Sequence, residues 1–244
     1  YLKLIEETLD RILPPVTQYP PVIHEAMRYG IFPGGKRFRP MLALSACEAC
    51  GGHLSDVLMP AISLELIHGY SLVHDDLPAL DNDDIRRGKL TCHKRFGEAV
   101  ALLAGDGLLT LAFHVLSRMP RASKTPRLLA EISTASGTYG MIGGQVADLM
   151  VKKAEANVAL QDYISSHKTG KLITASAVCG AIAADATEEQ IGHIHRFGEC
   201  VGLAFQSVDD LLDGDGYLEL VESKEVVQKV RDLIAKAKKE IKPL

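Results

Sequence analysis

The sequence predicts an all-α chain, and three observations carry that prediction. Apolar residues recur every three or four positions through most of the 244 residues, as in Met41, Leu42, Ala46 and Ala49, and again in Ile62, Leu66, Tyr70 and Val73. β-branched residues form only short clusters, and no run of alternating polarity is bounded by a hairpin turn such as Asn-Gly. Glycines and prolines punctuate the periodic stretches at intervals that suit helices.

These breakers set the elements in order. A first helix runs from the start to Pro14-Pro15, and the second lies between Pro20-Pro21 and Pro33-Gly34-Gly35. The third closes at Gly51-Gly52, and a long apolar helix around Ser63 to Val73 stops near Pro78. Gly97, Pro120 and Pro126 set off a helix over Ala99–Ser117. Long helices follow over Leu128–Val151, Asp162–Ala184 and Glu188–Leu212, the last stopped by Gly214-Asp215-Gly216. Rich in Ala, Gly and Leu with few charges, the helices from Ser63 to Leu212 are of the kind buried on several sides of a bundle. The last segment, Lys224–Lys242, carries charge on most faces and a thin apolar line of Val226, Val230, Leu233, Ile234 and Ile241, which suits a rim. About nine or ten helices result.

At 47% hydrophobic and 24% charged residues the chain can bury a full core, and a single domain over residues 1–244 is expected. A net charge of −4 offers no general attraction to nucleic acid or to an anionic membrane. No run is expected to reach the roughly eighteen apolar residues of a membrane span. The cysteines, at 47, 50, 92, 179 and 200, are odd in number and scattered among apolar residues, which points to reduced thiols and a cytoplasmic setting. The CEAC pair at Cys47 and Cys50 lacks the second Cys/His pair of a zinc site. The chain opens at Tyr1 inside a helix, so the question of an organellar leader stays open.

Chemistry concentrates at two helix ends. In LIHGYSLVHDDLPALDNDDIRRG, Asp75, Asp76, Asp81, Asp83 and Asp84 face only Arg86 and Arg87. Asp75 and Asp76 close an apolar helix, where the negative end of the helix dipole disfavours a carboxylate. A divalent cation relieves both strains. Mg²⁺ suits, because it takes oxygen ligands, one or two carboxylates at a time, and fills its octahedron with water and substrate phosphate. On a straight helix Asp75 and Asp81 would stand about 240° apart. Pro78 ends or distorts that helix after Asp75, so both can reach one ion. A solvated acidic turn is the plain alternative. In GLAFQSVDDLLDGDG, a DDxxD sets Asp209 and Asp213 on one face, with Phe205 and Gln206 a turn before them. Two such clusters can face each other across a bundle cavity and hold several Mg²⁺ ions.

Basic residues come next. In GGKRFRP, Lys36, Arg37 and Arg39 follow a glycine pair before a helix, a combination of backbone N–H groups and cations that suits phosphate. A solvated basic turn is the alternative. His68 precedes Asp75 by two helical turns, about 10.5 Å along one face, from which it can donate to a second phosphate or serve as an ordinary core residue. His74 is read as a core residue. Arg86 and Arg87 either neutralise the acidic cluster or each reach a phosphate. Lys168 and Thr169, in SSHKTGKLITAS, stand among Ser, Thr, Gly and Ala, as on a cavity wall. Gly140, Gly143 and Gly144 of GMIGGQVADL fall inside a helix at up to about 1 kcal/mol each relative to Ala, which close helix approach or a bulky ligand offsets.

With GGKRFRP, DDLPALDNDDIRRGKLTCHKRFGEAVALLAGD, GMIGGQVADL, HKTGKLITAS and FQSVDDLLD in this order, the chain resembles the trans-isoprenyl diphosphate synthases, which condense isopentenyl diphosphate with allylic diphosphates. The resemblance implies antiparallel helices around a deep pocket, usually in a homodimer, and three Mg²⁺ ions. It implies that Asp75, Asp81 and Asp209 ligate Mg²⁺ with Asp76 and Asp213 in support. Lys36, Arg39, His68 and Arg87 match the isopentenyl diphosphate site. Arg86, Lys168, Thr169 and Gln206 match the allylic diphosphate site, and Asp75, Asp209, Arg86 and Lys168 carry the catalytic roles.

Product length follows from the same resemblance, since bulky residues four or five positions before the first Asp shorten the product. Tyr70 stands at five, about 7.5 Å down the helix from Asp75, and Ser71 at four, with a helical phase nearer to that of Asp75. Tyr70 and the two-residue insertion in DDLPALD resemble the bacterial-type farnesyl diphosphate synthases. A C15 product is expected, with C20 as the alternative. A non-catalytic regulatory subunit would share the fold but usually loses Asp motifs, and both are intact here. One departure is clear: where the family carries a lysine-bearing loop with Gly-Lys-Asp, Asp215-Gly216 runs straight into YLELVESKEVVQKV. Whether that loop is disordered or deleted stays open at this point, and a true deletion would impair closure over the diphosphates.

Overall fold

The computed structural model describes residues 1–32, 34–151 and 157–244, so Pro33 of the expected Pro-Gly-Gly breaker lies outside the described residues. In chain order the helices are α1 (Leu2–Ile12), α2 (Pro21–Ile31), α3 (Phe38–Ala49), α4 (Leu54–Asp75), α5 (Cys92–Phe96) and α6 (Glu98–Ser117). There follow α7 (Thr125–Ser136), α8 (Met141–Met150), α9 (Val158–Ile164), α10 (Lys171–Ala183), α11 (Glu188–Asp213) and α12 (Ser223–Glu240). The all-α reading holds. Local chemistry explains the boundaries. Pro21 occupies the first turn of α2, where its missing N–H costs nothing. Asn157 caps α9 by accepting from the Leu160 N–H at 3.0 Å. Thr187 and Gln190 exchange the reciprocal bonds of a capping box at the start of α11.

The chain divides into two compact units. One comprises Tyr1–Met41 and Leu58–Thr125, the other Leu42–Val57 and Pro126–Leu244. In the first, Ile5 and Leu9 of α1, Ile62, Leu66 and Ile67 of α4 and Leu108 of α6 have no exposed surface. Burying each such side chain contributes about 1.5–3 kcal/mol. In the second, α10 is enclosed, with every residue from Leu172 to Ala183 buried, and it packs along α11, which also carries α12.

Three expectations need correction. The helix expected over Leu128–Val151 is two, α7 and α8, because the Gly137 N–H donates to Ser133 and the Gly140 N–H to Gly137, turning the chain at residues 137–140. A small hairpin also exists, β1 (Ile85–Arg86) paired antiparallel with β2 (Lys89–Leu90). Arg87 (φ +54°) and Gly88 (φ +74°) form its two-residue turn, and two positive φ values match the twist of paired strands. On α12 the buried line is Val226, Val230 and Ala237, while Ile234 and Ile241 are exposed.

A fourth difference concerns length and polarity. α6 is, by those two criteria alone, long and apolar enough to cross a membrane, with 39% of its most apolar window buried. Asp106 interrupts the run, which is why a count of unbroken apolar residues passed over it. Its buried side, including Ala101, Ala104, Leu108 and Val115, packs on α2 and α5.

Candidate active site

The first acidic cluster forms where α4 ends at Asp75, three residues before Pro78. The Asp76 N–H still donates to the Leu72 carbonyl at 3.2 Å, after which the chain turns until the Asp81 N–H donates to the Asp75 carbonyl at 2.9 Å. That turn brings Asp81 back to Asp75, a juxtaposition that a continuous helix forbids. Asp76 is buried and meets Arg86 Nε at 2.7 Å. Burial raises its carboxyl above the ordinary range, and Arg86 pulls against that rise. Asp83 takes a longer contact from Arg86 at 3.5 Å, and Asp84 pairs with Lys94 at 2.7 Å. Arg86 therefore pairs with two of the five carboxylates.

Arg87 does something different. Its guanidinium donates to the Gly34 carbonyl at 2.7 Å, which places it on the Gly-Gly segment before Lys36. Arg37, expected as a third phosphate cation, turns inward instead. It is 4% exposed and donates to Glu6 at 2.7 Å, to Glu65 at 2.8 Å and to the Ile31 carbonyl at 2.9 Å. Lys36 is exposed and Arg39 buried. Half-buried His68 is held well below its ordinary pKa, first by desolvation and then by the charges of Arg39, Arg87, Arg86 and Arg37. In the first unit the charges of Arg37, Arg39, Arg86 and Arg87 thus bear on His68, and exposed Lys36 adjoins Arg37 in the chain. A neutral imidazole there donates an N–H without adding charge.

The second unit builds its site around a distorted helix. Residues Ser165–Gly170 form a π-turn between α9 and α10, the wider winding that recurs at functional sites. Gly144 of α8 explains why α8 can lie against it: a Cβ there would come within 2.1 Å of the Lys168 backbone nitrogen. Close helix approach is one of the two roles that the sequence offered for this glycine. Lys168 Nζ pairs with Asp148 Oδ2 at 2.6 Å. Thr169 Oγ1 donates to Gln206 Oε1 at 2.7 Å, and Gln206 Nε2 donates to Asp210 Oδ1 at 2.8 Å. Lys168, Thr169 and Gln206 line one cavity of about 240 Å³, together with Asp148, Asp210 and Asp215.

Asp209 is half-buried and Asp213 exposed, while Asp210 between them is buried and accepts from the Tyr217 N–H at 3.0 Å. Tyr217 is itself enclosed, its hydroxyl donating to Asp162, which also receives Lys229. Residues 214–222 thereby join α11 to α12 in a short, tied connection that contains no lysine.

Several of these groups escaped the sequence. Glu65 had a signal, a lone acid in a buried apolar run, and Arg37 answers it. Asp148 had a weaker one, as the single charge of GMIGGQVADL. Asp162 and Tyr217 had none, since their pairing joins segments 55 residues apart. His74, read as a core residue, is half-buried instead, with its Nε2 2.9 Å from the Leu102 carbonyl.

The acidic residues offer carboxylate oxygens, the hard donors that Mg²⁺ prefers. Among the described residues no three His, Cys, Asp or Glu side chains close on one point.

Comparison with known proteins gives concordant results. The polyprenyl synthetase family model matches residues 20–234. Geranylgeranyl pyrophosphate synthase 4 of Arabidopsis thaliana is 48% identical over 86% of this chain, and the chain spans 57% of that relative's length. A farnesyl diphosphate synthase of Micrococcus luteus is 45% identical over 90% of this chain and 75% of its own. A geranyltransferase structure from Legionella pneumophila superposes with a TM-score of 0.93 at 35% identity, covering 99% of this chain and 88% of that one.

Proposed function

The chain belongs to the polyprenyl synthetase family, and from that premise we propose that it condenses isopentenyl diphosphate head to tail with dimethylallyl or geranyl diphosphate to give farnesyl diphosphate. The observation that carries the C15 product is Tyr70, 5% exposed in α4, five residues before Asp75. Half-buried Ser71 spends its hydroxyl on the His68 carbonyl at 2.9 Å and offers far less bulk.

Lys36, Arg39, His68 and Arg87 hold the diphosphate of isopentenyl diphosphate. Lys168, Thr169 and Gln206 take the allylic diphosphate, a role that the resemblance gives to Arg86 as well. Lys168 must exchange its Asp148 partner for phosphate oxygens as substrate enters, so the resting pair keeps the ammonium poised on the cavity wall. Asp75, Asp81 and Asp209 would hold Mg²⁺, three ions in the family picture, and the metal when bound neutralises charge gathering on the leaving diphosphate. Fixed positive charge from Lys168 and Arg86 acts in the same direction, so the allylic C–O bond ionises and the double bond of isopentenyl diphosphate attacks the cation. A proton then leaves to the departed diphosphate. No side chain is needed as a nucleophile. A homodimer is the assembly that the family resemblance favours.

A geranylgeranyl (C20) product is favoured by one observation, the name and 48% identity of the Arabidopsis relative. A regulatory subunit is favoured by another, the absence of lysine from residues 214–222. Product analysis separates them. With labelled isopentenyl diphosphate and geranyl diphosphate the chain is expected to stop at C15, and Tyr70→Ala to extend products to C20 and beyond. A C20 end product from the parent chain would establish the first alternative, and an unchanged profile in Tyr70→Ala would remove the tyrosine from its role.

A further inference from the structure

We infer that His74 is a positioning residue for product length, acting by fixing the ring of Tyr70; the inference rests on Tyr70 being the floor of the product pocket. Tyr70 and His74 are neighbours one turn apart on α4, with ring centroids at 5.7 Å and planes at 76°, an edge-to-face contact. Nothing polar holds Tyr70, since its buried phenol oxygen has no hydrogen-bond partner among the described residues. Its orientation therefore depends on what its ring touches.

His74, by contrast, is anchored from a second helix. Its Nε2–H donates to the Leu102 carbonyl of α6 at 2.9 Å, and Asp106 Oδ1 lies at 3.8 Å. The imidazole fits against α6 only because residue 105 has no side chain. A Cβ on Gly105 would fall 2.1 Å from His74 Nε2. The order of dependence runs from the α6 backbone to the imidazole to the phenol. Removing the imidazole ring leaves Tyr70 space to swing, which lowers the floor and admits a longer chain.

Products are to be resolved for the parent chain and for Tyr70→Ala, His74→Gln, His74→Phe and Gly105→Ala, each checked for folding by circular dichroism. His74→Gln keeps a donor for the Leu102 carbonyl but loses the ring, and it is expected to raise the ratio of C20 to C15 about two- to tenfold, the population factor that an aromatic edge contact of ordinary strength controls. His74→Phe keeps a ring but loses the bond to the Leu102 carbonyl, and it is expected to give a ratio between those of the parent and His74→Gln. Gly105→Ala displaces the imidazole from the other helix and is expected to behave like His74→Gln, which keeps the test available should one variant fold poorly. A role in stability alone would change yield or rate without moving the ratio. If Tyr70→Ala lengthens products while His74→Gln and Gly105→Ala keep the parent ratio, the inference is overturned and the floor stands. If Tyr70→Ala leaves the ratio unmoved, the floor itself fails and takes the inference with it.

Discussion

Arg37 shows how a single residue can support a binding segment without belonging to its ligand set. Its side chain is 3% exposed and that of Glu65 is 6% exposed, so the pair sits in a low-dielectric interior where loss of one partner strands the other. Arg37→Ala is expected to destabilise the protein by about 3–5 kcal/mol in urea unfolding. An unfolding midpoint equal to that of the parent would contradict the pairing. His68 supplies a pH signature. The unfolded chain takes up a proton near pH 6.5, which the folded ring refuses until well below that value. The unfolded state thus binds more protons over this window, and stability falls as pH drops through it. His68→Gln is therefore expected to lose less thermal stability than the parent between about pH 7 and pH 5.5. Equal losses in the two proteins would show that His68 is not so depressed. The sequence offered Arg37 as a phosphate cation because composition alone cannot tell which way a charged side chain turns; Glu65, buried in α4, decides it.

At the scale of elements, the π-turn at Ser165–Gly170 places Lys168 and Thr169, and α8 holds it there. Gly144→Ala would push a methyl into the Lys168 backbone nitrogen, a contact that no side-chain rotation can relieve. Overpacking of that kind costs about 1–3 kcal/mol. A lower melting temperature together with a higher KM for the allylic diphosphate is expected from thermal melts and steady-state kinetics. Unchanged values for both would mean that the turn is not held by this approach. Long helices were legible because their periodicity runs up to a breaker, as in α11, which Gly214 ends. The break between α7 and α8 was not, since Gly137 and Gly140 read equally well as helical glycines. The hairpin of residues 85–90 was hidden by its size, with only two residues in each strand to show alternation.

For the whole molecule, each compact unit carries one acidic cluster and one group of candidate phosphate-binding residues. The first unit contains Lys36, Arg39, His68 and Arg87, and the second lines a cavity with Lys168, Thr169 and Gln206. The acidic clusters and the Lys36–Arg39 segment stood out in the sequence because charged residues at apolar helix ends need a partner, whereas the division of the other residues into two diphosphate sites came from the family resemblance. What was not legible is the way the chain leaves the second cluster. Tyr217, Asp162, Asp210 and Lys229 tie residues 214–222 into a compact connection where the resemblance called for a lysine-bearing loop. The central claim is catalytic condensation, and the direct measurement is transfer of label from isopentenyl diphosphate into product by this chain, with each allylic diphosphate from C5 to C15, in the presence and absence of Mg²⁺. Mg²⁺-dependent label in a prenyl diphosphate ending at C15 is the predicted result. No condensation with any starter in the presence of Mg²⁺ would contradict it.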